Sequence, residues 1–469
     1  MAGTLPQSLT QVDPVLAWQR WEPSATDPWN LKWAGHLYRR AGFGATWTEL
    51  QEAVKSGLAA TLTRVLDGQP EAEERDRLIE KAGAAIAGKE DADALRGWWL
   101  YLSLQSLHPL REKLTLFWHN HFATSIAKVN RVDLMFRQNR LLRRHALGKF
   151  QPLLLDISRD PAMLIWLDSN TNVKGAANEN YARELMELFS LGVGHYAEAD
   201  VREAARAFTG WHTDGDEFEF AADLHDAADK KFLGRSGHWN GEDIVRIILE
   251  QPAAALFVVR KLYRFLISEN ESPADALLEP LAQTFRKSDY DIGLLVKTML
   301  MSRLFLSEHA YRQRVKSPVE FVVGIVHSFE GSRPSPATMA PELEAMGQLL
   351  FAPPNVKGWS GGKAWLNTAT ILARNSFAKR LAVGDAPSKP GSPPAHGDVS
   401  SVLRRDKITD PSRAVDLLVD VHLQGDVTKA ARLRLVSFLA EGKLKDEAFH
   451  QRAREAVLAL WTMPEFQLA

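Results

Sequence analysis

The sequence predicts a mainly α-helical protein, with a large multi-helical domain, one short β-hairpin and a small C-terminal helical appendage. Three observations predict this class. Apolar residues recur at helical spacing in several segments, among them residues 98–118, 242–267 and 273–305. Strand signals are few and do not alternate with helical segments, so a parallel sheet is not expected. The sequence also has no glycine-rich phosphate-binding loop and no internal repeat.

Helix boundaries are predicted mainly from glycines. Residues 71–96 are charged and rich in alanine, and Gly83 and Gly88 are expected to separate two helices there. Residues 178–194 carry leucines and a phenylalanine at helical spacing, which predicts another helix that Gly192 helps to stop.

The region after this helix is expected to contain a further helix and the hairpin. Asp200 and Glu203 match the spacing of a capping box at the start of a helix that ends near Gly210. Asp-Gly at 214–215 stands beside the alternating residues 217–220, which is typical of a short β-hairpin.

The predicted domain organisation follows a change in composition near the C-terminal end. Residues 1–383 are expected to form the main helical domain, which carries all the polar motifs described below. Residues 384–400 are rich in proline, glycine and serine and predict an exposed loop or linker. Residues 401–469 are predicted to form a C-terminal helical segment.

Composition excludes several classes of protein. The chain has 469 residues, with 57 Lys and Arg against 58 Asp and Glu, so a protein that holds nucleic acid by bulk charge is not expected. The absence of cysteine leaves histidine and carboxylates as the expected metal ligands. No apolar run approaches the ~20 residues that cross a bilayer, and no signal peptide is recognised, so a cytoplasmic location is the default expectation.

Two histidines near the end of a predicted helix are the first candidate for chemistry. His119 and His121 lie two positions apart within an aromatic segment. If the helix continues, their side chains point about 200° apart and cannot share a ligand. If the helix ends at Trp118 and the chain becomes extended, both face the same way and can bind one metal ion or one substrate. The alternative is that both are hydrogen-bonded core residues.

Two carboxylates on the next polar helix are the second candidate. Glu184 and Glu187 are three residues apart and therefore share a helix face, a spacing by which helical bundles present ligands to metals. Glu179 and Arg183 are four apart and favour an ion pair. The alternative is a buried Arg–Glu–Asn network that only fixes helix packing.

A loop and several turns provide further candidates. His225 and Asp226 are adjacent in a polar segment after the predicted hairpin, where functional groups concentrate. Trp211, Trp359 and Trp365 stand near glycines in turns and suit stacking on a sugar if they are exposed, although a tryptophan in such a turn more often caps a core.

Several of these segments together resemble a known family. The segments are LYRRAGFG at 37–44, REKLTLFWHNHF at 111–122, DPAM at 160–163, NENYARELMEL at 178–188, TGW at 209–211, HD at 225–226 and GW at 358–359. In this order they resemble the domain-of-unknown-function eighteen-hundred family of bacterial proteins. The resemblance implies a mainly helical fold without a settled activity. It also implies neighbouring genes for sulfatase-like or alkaline-phosphatase-like proteins, and a sulfatase-like protein encoded nearby is the expected partner.

The leading hypothesis is an enzyme with a His/carboxylate site. His119, His121, Glu184 and His225 would bind a divalent metal that activates water for hydrolysis. The expected catalytic residues are Glu184, Glu187, His225 and Asp226. Metal-free acid–base chemistry by the same groups is the second form of this hypothesis. The alternative is a non-catalytic binding or escort protein for the sulfatase-like partner.

Overall fold

Helices dominate the architecture. The computed structural model describes residues 5–329, 335–384 and 399–469. Within these ranges the strands form two separate antiparallel sheets of two strands each. The mainly α-helical class predicted from the sequence is therefore confirmed.

The helices follow one another with short connections. Up to residue 166 they are α1 (Pro14–Trp18), α2 (Leu31–Ala41), α3 (Trp47–Asp67), α4 (Ala72–Ala87), α5 (Ala92–Gln105), α6 (Pro109–His121), α7 (Ile126–Val129), α8 (Val132–His145), α9 (Phe150–Ser158) and α10 (Pro161–Trp166). Then come α11 (Asn180–Glu184), a π-helix (Leu185–Ser190), α12 (Glu198–Ala207), α13 (Gly241–Leu249), α14 (Pro252–Leu266), α15 (Asp275–Lys287), α16 (Ile292–Leu300) and α17 (Pro318–His327). The last are α18 (Pro336–Ala345), α19 (Thr368–Val383), α20 (Ser401–Arg405), α21 (Pro411–Leu423), α22 (Lys429–Ala440), α23 (Asp446–Thr462) and α24 (Pro464–Gln467).

The predicted hairpin is present, and a second one follows it. Strand β1 (Trp211–Asp214) pairs with β2 (Glu217–Phe220) as the Asp-Gly signal predicts. Strand β3 (Lys230–Phe232) pairs with β4 (Arg235–Gly237) around Leu233 and Gly234, both at positive φ. The second hairpin was not predicted, because leucine is an unusual residue at positive φ and three-residue strands carry no clear alternation.

The two glycines in the first helical region have different roles. Gly88 follows α4 and ends it, as predicted. Gly83 lies inside α4, where a Cβ atom would stand 2.5 Å from the Trp98 ring and 2.7 Å from the Phe136 ring. The prediction that Gly83 breaks the helix is therefore wrong, because this glycine instead allows α4 to pack closely against two aromatic side chains.

The helix predicted over 178–194 is divided in two. It consists of α11 and the π-helix, so its backbone pairing changes near Glu184. The next helix, α12, begins at Glu198, and Asp200 Oδ2 accepts a hydrogen bond of 2.8 Å from the Ala197 N–H. Asp200 is thus the third helical residue of α12 and caps the start of the helix from there. The prediction that Asp200 and Glu203 form the capping box is wrong, because the N-cap lies three residues earlier, at Ala197.

Two large apolar clusters form the interior, and α6 belongs to both. Leu114 and Trp118 lie in the cluster built mainly from residues 9–311. Leu116 lies in the cluster that joins α5, α8 and α17 with the C-terminal helices α21 and α23. Because α6 presents a different face to each cluster, residues on successive positions of α6 enter different environments.

A buried ion-pair network ties α6 to α17. Glu320 accepts hydrogen bonds from the ammonium of Lys113 and from Arg314 Nη1, the latter at 3.1 Å. All three side chains are buried. Although burial acts to raise the pKa of Glu320, the charges of Arg314 and Lys113 hold it below its usual range. Removing one member of such a network leaves a buried charge without compensation, so the network fixes the position of Arg314.

The predicted linker, residues 384–400, lies mostly outside the described residues, which omit 385–398. The helices α19, before the linker, and α23, after it, pack against each other. Within the three described ranges, no helix is both long enough and apolar enough to cross a bilayer.

Candidate functional site

A cavity opens where α6, α14 and the loop at 357–365 meet. Its volume is ≈ 400 Å³, within the range of about 300–1,000 Å³ that is common for small-molecule sites. Aromatic and basic side chains dominate the lining. The lining side chains used below are Phe117, Asn120, His121, Phe257, Arg260, Lys261, Arg264, Phe265, Glu269, Arg314, Lys357, Trp359 and Trp365.

Asn120 clamps the loop to α6. Its Oδ1 accepts a hydrogen bond of 2.7 Å from the Trp359 N–H, and its Nδ2 donates one of 3.4 Å to the Trp359 carbonyl. Gly358, at φ +75°, lies so close that a Cβ atom would stand 2.5 Å from the Asn120 carbonyl oxygen and 2.2 Å from its Oδ1. A glycine at position 358 is thus required for the loop to approach the helix this closely.

The face of α14 toward the cavity carries both aromatic rings and cations. Phe257, Arg260, Lys261, Arg264 and Phe265 occupy positions i, i+3, i+4, i+7 and i+8, which share one side of a helix. This pattern alone does not identify a site, because an amphipathic surface helix shows the same spacing. The sequence analysis missed these residues for that reason.

The cations of the cavity fall into two groups. Arg260 pairs with Asp275, and Arg314 pairs with Glu320. Among the residues that the structure describes, Lys261, Arg264 and Lys357 make no side-chain hydrogen bond or ion pair. The only carboxylate in the lining is Glu269.

Glu269 is already engaged by the backbone. Its Oε1 accepts a hydrogen bond of 2.6 Å from the Val315 N–H. The cavity therefore presents an excess of positive charge.

His121 contributes a neutral imidazole to the cavity wall. Its Nε2 donates to the Phe189 carbonyl at 3.0 Å, which leaves Nδ1 as an acceptor without a hydrogen-bond partner. Burial, and next the charge of Lys261, lowers the pKa of His121 to about 3. The imidazole is therefore uncharged at neutral pH, and its Nδ1 is buried without a hydrogen-bond partner among the described residues.

His119 lies on the opposite side of α6. Its ring packs against Trp99, Phe351 and Trp359, with centroid distances of 5.2, 5.8 and 5.7 Å. Burial alone lowers its pKa to about 3. Because α6 continues through His121, the condition under which the two histidines would face the same way is not met, and they do not chelate one ion.

Glu184 and Glu187 lie near the cavity but outside its lining. Burial, and next the charge of Glu187, raises the pKa of Glu184, whereas Lys357 acts to lower it. Tyr196 donates a hydrogen bond of 3.4 Å to Glu187. The structure thus brings Glu184 close to Lys357, a cation of the cavity. The hydrogen bond from His121 to the Phe189 carbonyl joins the helical segment that follows Glu184 to α6.

His225 and Asp226 are held by local partners. His225 Nδ1 donates to the Thr209 carbonyl at 2.9 Å. Asp226 accepts a hydrogen bond of 2.7 Å from Arg206, which lowers the pKa of Asp226. These contacts fix the segment between the two hairpins and involve none of the cavity residues.

The predicted metal-ligand set is not assembled. No group of three or more His, Asp or Glu side chains that could hold a metal ion occurs in residues 5–329, 335–384 and 399–469. His119 and His121 point into different clusters, and His225 is engaged near Thr209. The expectation that His119, His121, Glu184 and His225 form one ligand shell is therefore wrong.

The tryptophans of the glycine turns do not form an exposed stacking surface. Trp211, Trp359 and Trp365 are 4%, 6% and 7% exposed. Trp359 and Trp365 pack with Val315 in a small apolar cluster beside the cavity. The exposure required for a sugar-binding surface is absent, so the alternative reading of these turns as core caps is confirmed.

Comparison with known families gives one match. The family described as "Protein of unknown function (DUF1800)" matches residues 36–468, nearly the whole chain. The chain belongs to this family. The resemblance drawn from the seven sequence segments is thereby confirmed. No curated protein and no solved structure is similar enough to count as a match.

Membership of the DUF1800 family assigns no activity, so the function is inferred from the residues that line the cavity. Two of the segments that carry the resemblance meet there, since Asn120 and His121 come from one and Trp359 from another. The third is the segment 178–188. Its helix continues to Phe189, whose carbonyl accepts the hydrogen bond from His121.

The clamp can be tested with two glycines that share a positive φ. Gly358→Ala should lower the free energy of unfolding more than Gly361→Ala, by about 1–3 kcal/mol, because only the first Cβ meets Asn120. Gly361 lies at φ +74°, so alanine meets an unfavourable φ at both positions, and a Cβ at position 361 would have its nearest atom at 3.8 Å. Urea unfolding measures both. Equal losses would show that the close approach at Asn120 has no energetic importance.

Burial of His119 predicts sensitivity to acid. The folded pKa of about 3 lies below the ordinary 6.5, so the group's contribution is complete above pH 6.5 and is lost as the pH falls toward 3. The expected slope is about 1.4 kcal/mol per pH unit. His119→Phe should reduce the loss of unfolding free energy between pH 6.5 and 4.5, and His238→Gln, at an exposed position, should not. An unchanged pH dependence in His119→Phe would contradict the burial of a neutral imidazole.

Proposed function

We propose that this chain binds an organic anion in the cavity between α6, α14 and the 357–365 loop. The observation that carries the proposal is the group of three cations, Lys261, Arg264 and Lys357, that line one cavity without an ion-pair partner among the described residues. A bound carboxylate, phosphate or sulfate would supply the missing counter-charge through charge-assisted hydrogen bonds.

The cost of leaving Lys261 unpaired supports the proposal, whereas Arg264 and Lys357 are exposed to solvent. Lys261 is partly buried, and its pKa is lowered by burial and by the charge of Arg264. A cation that is withdrawn from water without a partner is destabilising, and an anion offsets that cost. The five cations of the lining exceed its single carboxylate, Glu269, so the cavity repels cationic ligands.

The cavity walls restrict the ligand further. Phe257, Phe265, Trp359 and Trp365 give it apolar surface that suits a ring or a short hydrocarbon portion. The best-fitting ligand class is therefore a small organic anion with one apolar part.

The two hypotheses based on the sequence fit this proposal in different ways. Metal-free acid–base hydrolysis by the predicted catalytic residues Glu184, Glu187, His225 and Asp226 stays a prediction, and none of these four residues lines the cavity. The escort hypothesis requires a stable complex with the sulfatase-like protein encoded nearby and also stays a prediction. Anion binding has the more direct support, because it needs only the charges that the cavity presents.

Binding of anilinonaphthalene sulfonate, an aromatic sulfonate that fluoresces in apolar surroundings, tests the proposed function. The folded protein should bind this dye at one site, and inorganic phosphate should displace it. The double variant Arg264→Gln with Lys357→Gln should bind it at least about tenfold more weakly, equivalent to about 1.4 kcal/mol, because two of the three unpaired cations are lost.

A matched control removes the same charge elsewhere. Lys55 and Arg77 are exposed and lie outside the lining of the cavity. The double variant Lys55→Gln with Arg77→Gln should bind the dye as the parent does. Equal affinity in all three proteins, or dye binding that phosphate does not reduce, would overturn the proposal.

A further inference from the structure

One lysine of the cavity lacks the hydrogen bonds that hold two buried lysines elsewhere in the fold. Lys113 donates to the Arg39 and Gly42 carbonyls and to Glu320, and Lys230 donates to the carbonyls of residues 226 and 228. Lys261 has no such acceptor in the described part of the chain. Lys316 also has none there, but it lies outside this cavity, with its Nζ 3.8 Å from the centroid of the Phe466 ring. Its Nζ lies 5.3 Å from the centroid of the Phe257 ring, one turn earlier on α14. Its amine is therefore free to react with a molecule in the cavity.

The surroundings of Lys261 favour the neutral amine. Arg264 lies three residues later on the same helix face, and its charge together with burial lowers the pKa of Lys261. A lysine that is withdrawn from water beside another cation is a common arrangement for a nucleophilic amine. No carboxylate pairs with Lys261 in the described residues to restore the ammonium form.

Groups that can hold a reactant lie in the same cavity. Arg264 and Lys357 can bind an anionic group of the reactant. Phe257 and Phe265 provide apolar walls that limit access of water, which favours loss of water from an intermediate.

We propose that Lys261 is a catalytic nucleophile that forms an imine with a small aldehyde or ketone that bears a carboxylate or phosphate. The proposal rests on the anion binding proposed above. Nζ of the neutral amine attacks the carbonyl carbon and forms a C–N bond, and one proton passes from nitrogen to the carbonyl oxygen. The resulting hydroxyl then leaves as water with the second proton of the amine. The C=N bond forms without an oxidant or reductant, and both amine protons leave on the departing oxygen as water.

Reductive trapping with glyoxylate tests the proposal. Glyoxylate is an aldehyde with a carboxylate, and borohydride converts its imine with lysine into a stable carboxymethyl group. Intact mass and peptide mapping should show one carboxymethyl group per chain, at Lys261, before the exposed Lys55 is labelled. Acetaldehyde, which lacks the carboxylate, should be trapped at Lys261 at least about tenfold more slowly if the neighbouring cations capture the reactant.

Two variants separate chemistry from binding. Lys261→Arg keeps the positive charge but cannot form the imine, so it should still bind anilinonaphthalene sulfonate and lose the specific adduct. Arg264→Gln should slow trapping and shift the pH profile of the Lys261 reaction to higher pH, because the like charge beside the amine is gone.

The outcomes are distinguishable. Labelling of surface lysines as fast as Lys261, or unchanged labelling in Lys261→Arg, would overturn the imine proposal. If the dye binds but no adduct forms at Lys261, the imine proposal fails and anion binding stands. If the dye does not bind, the proposed function itself fails.

Discussion

The candidate site depends on one clamp between a helix and a loop. Asn120 holds the backbone of Trp359 by two hydrogen bonds, and Gly358 permits the approach because it has no Cβ. Through this clamp the loop that carries Lys357 stands opposite the cations of α14. Without it, Lys357 and Trp359 would not be held beside the aromatic and basic side chains of α14.

Continuity of α6 explains the different roles of three successive residues. His119 enters the aromatic surroundings of Trp99 and Phe351, Asn120 reaches the loop, and His121 faces the cavity. The burial that lowers the pKa of both histidines keeps them neutral at physiological pH. The positive charge of the site therefore comes from lysine and arginine, and His121 contributes an uncharged part of the wall.

The sequence predicted the helical class and the first hairpin because both depend on local patterns. It also selected the segments of His121 and Trp359, although for metal binding and for sugar stacking. The predicted metal-ligand set was wrong because it required the helix to end at Trp118, whereas α6 continues to His121 and turns His119 to the other side. The residues around Trp118 do not by themselves decide where the helix ends. The cations of α14 were missed because only the tertiary packing turns that helix face toward a cavity.

The central claim is that an anion belongs among Lys261, Arg264 and Lys357. Diffraction from a crystal soaked in sodium iodide tests it directly, because the anomalous signal of iodide locates anions without knowledge of the natural ligand. The account predicts an iodide peak inside the cavity, in contact with at least one of these three side chains. Iodide found only on the outer surface, with the three cations paired to carboxylates of the chain, would contradict it.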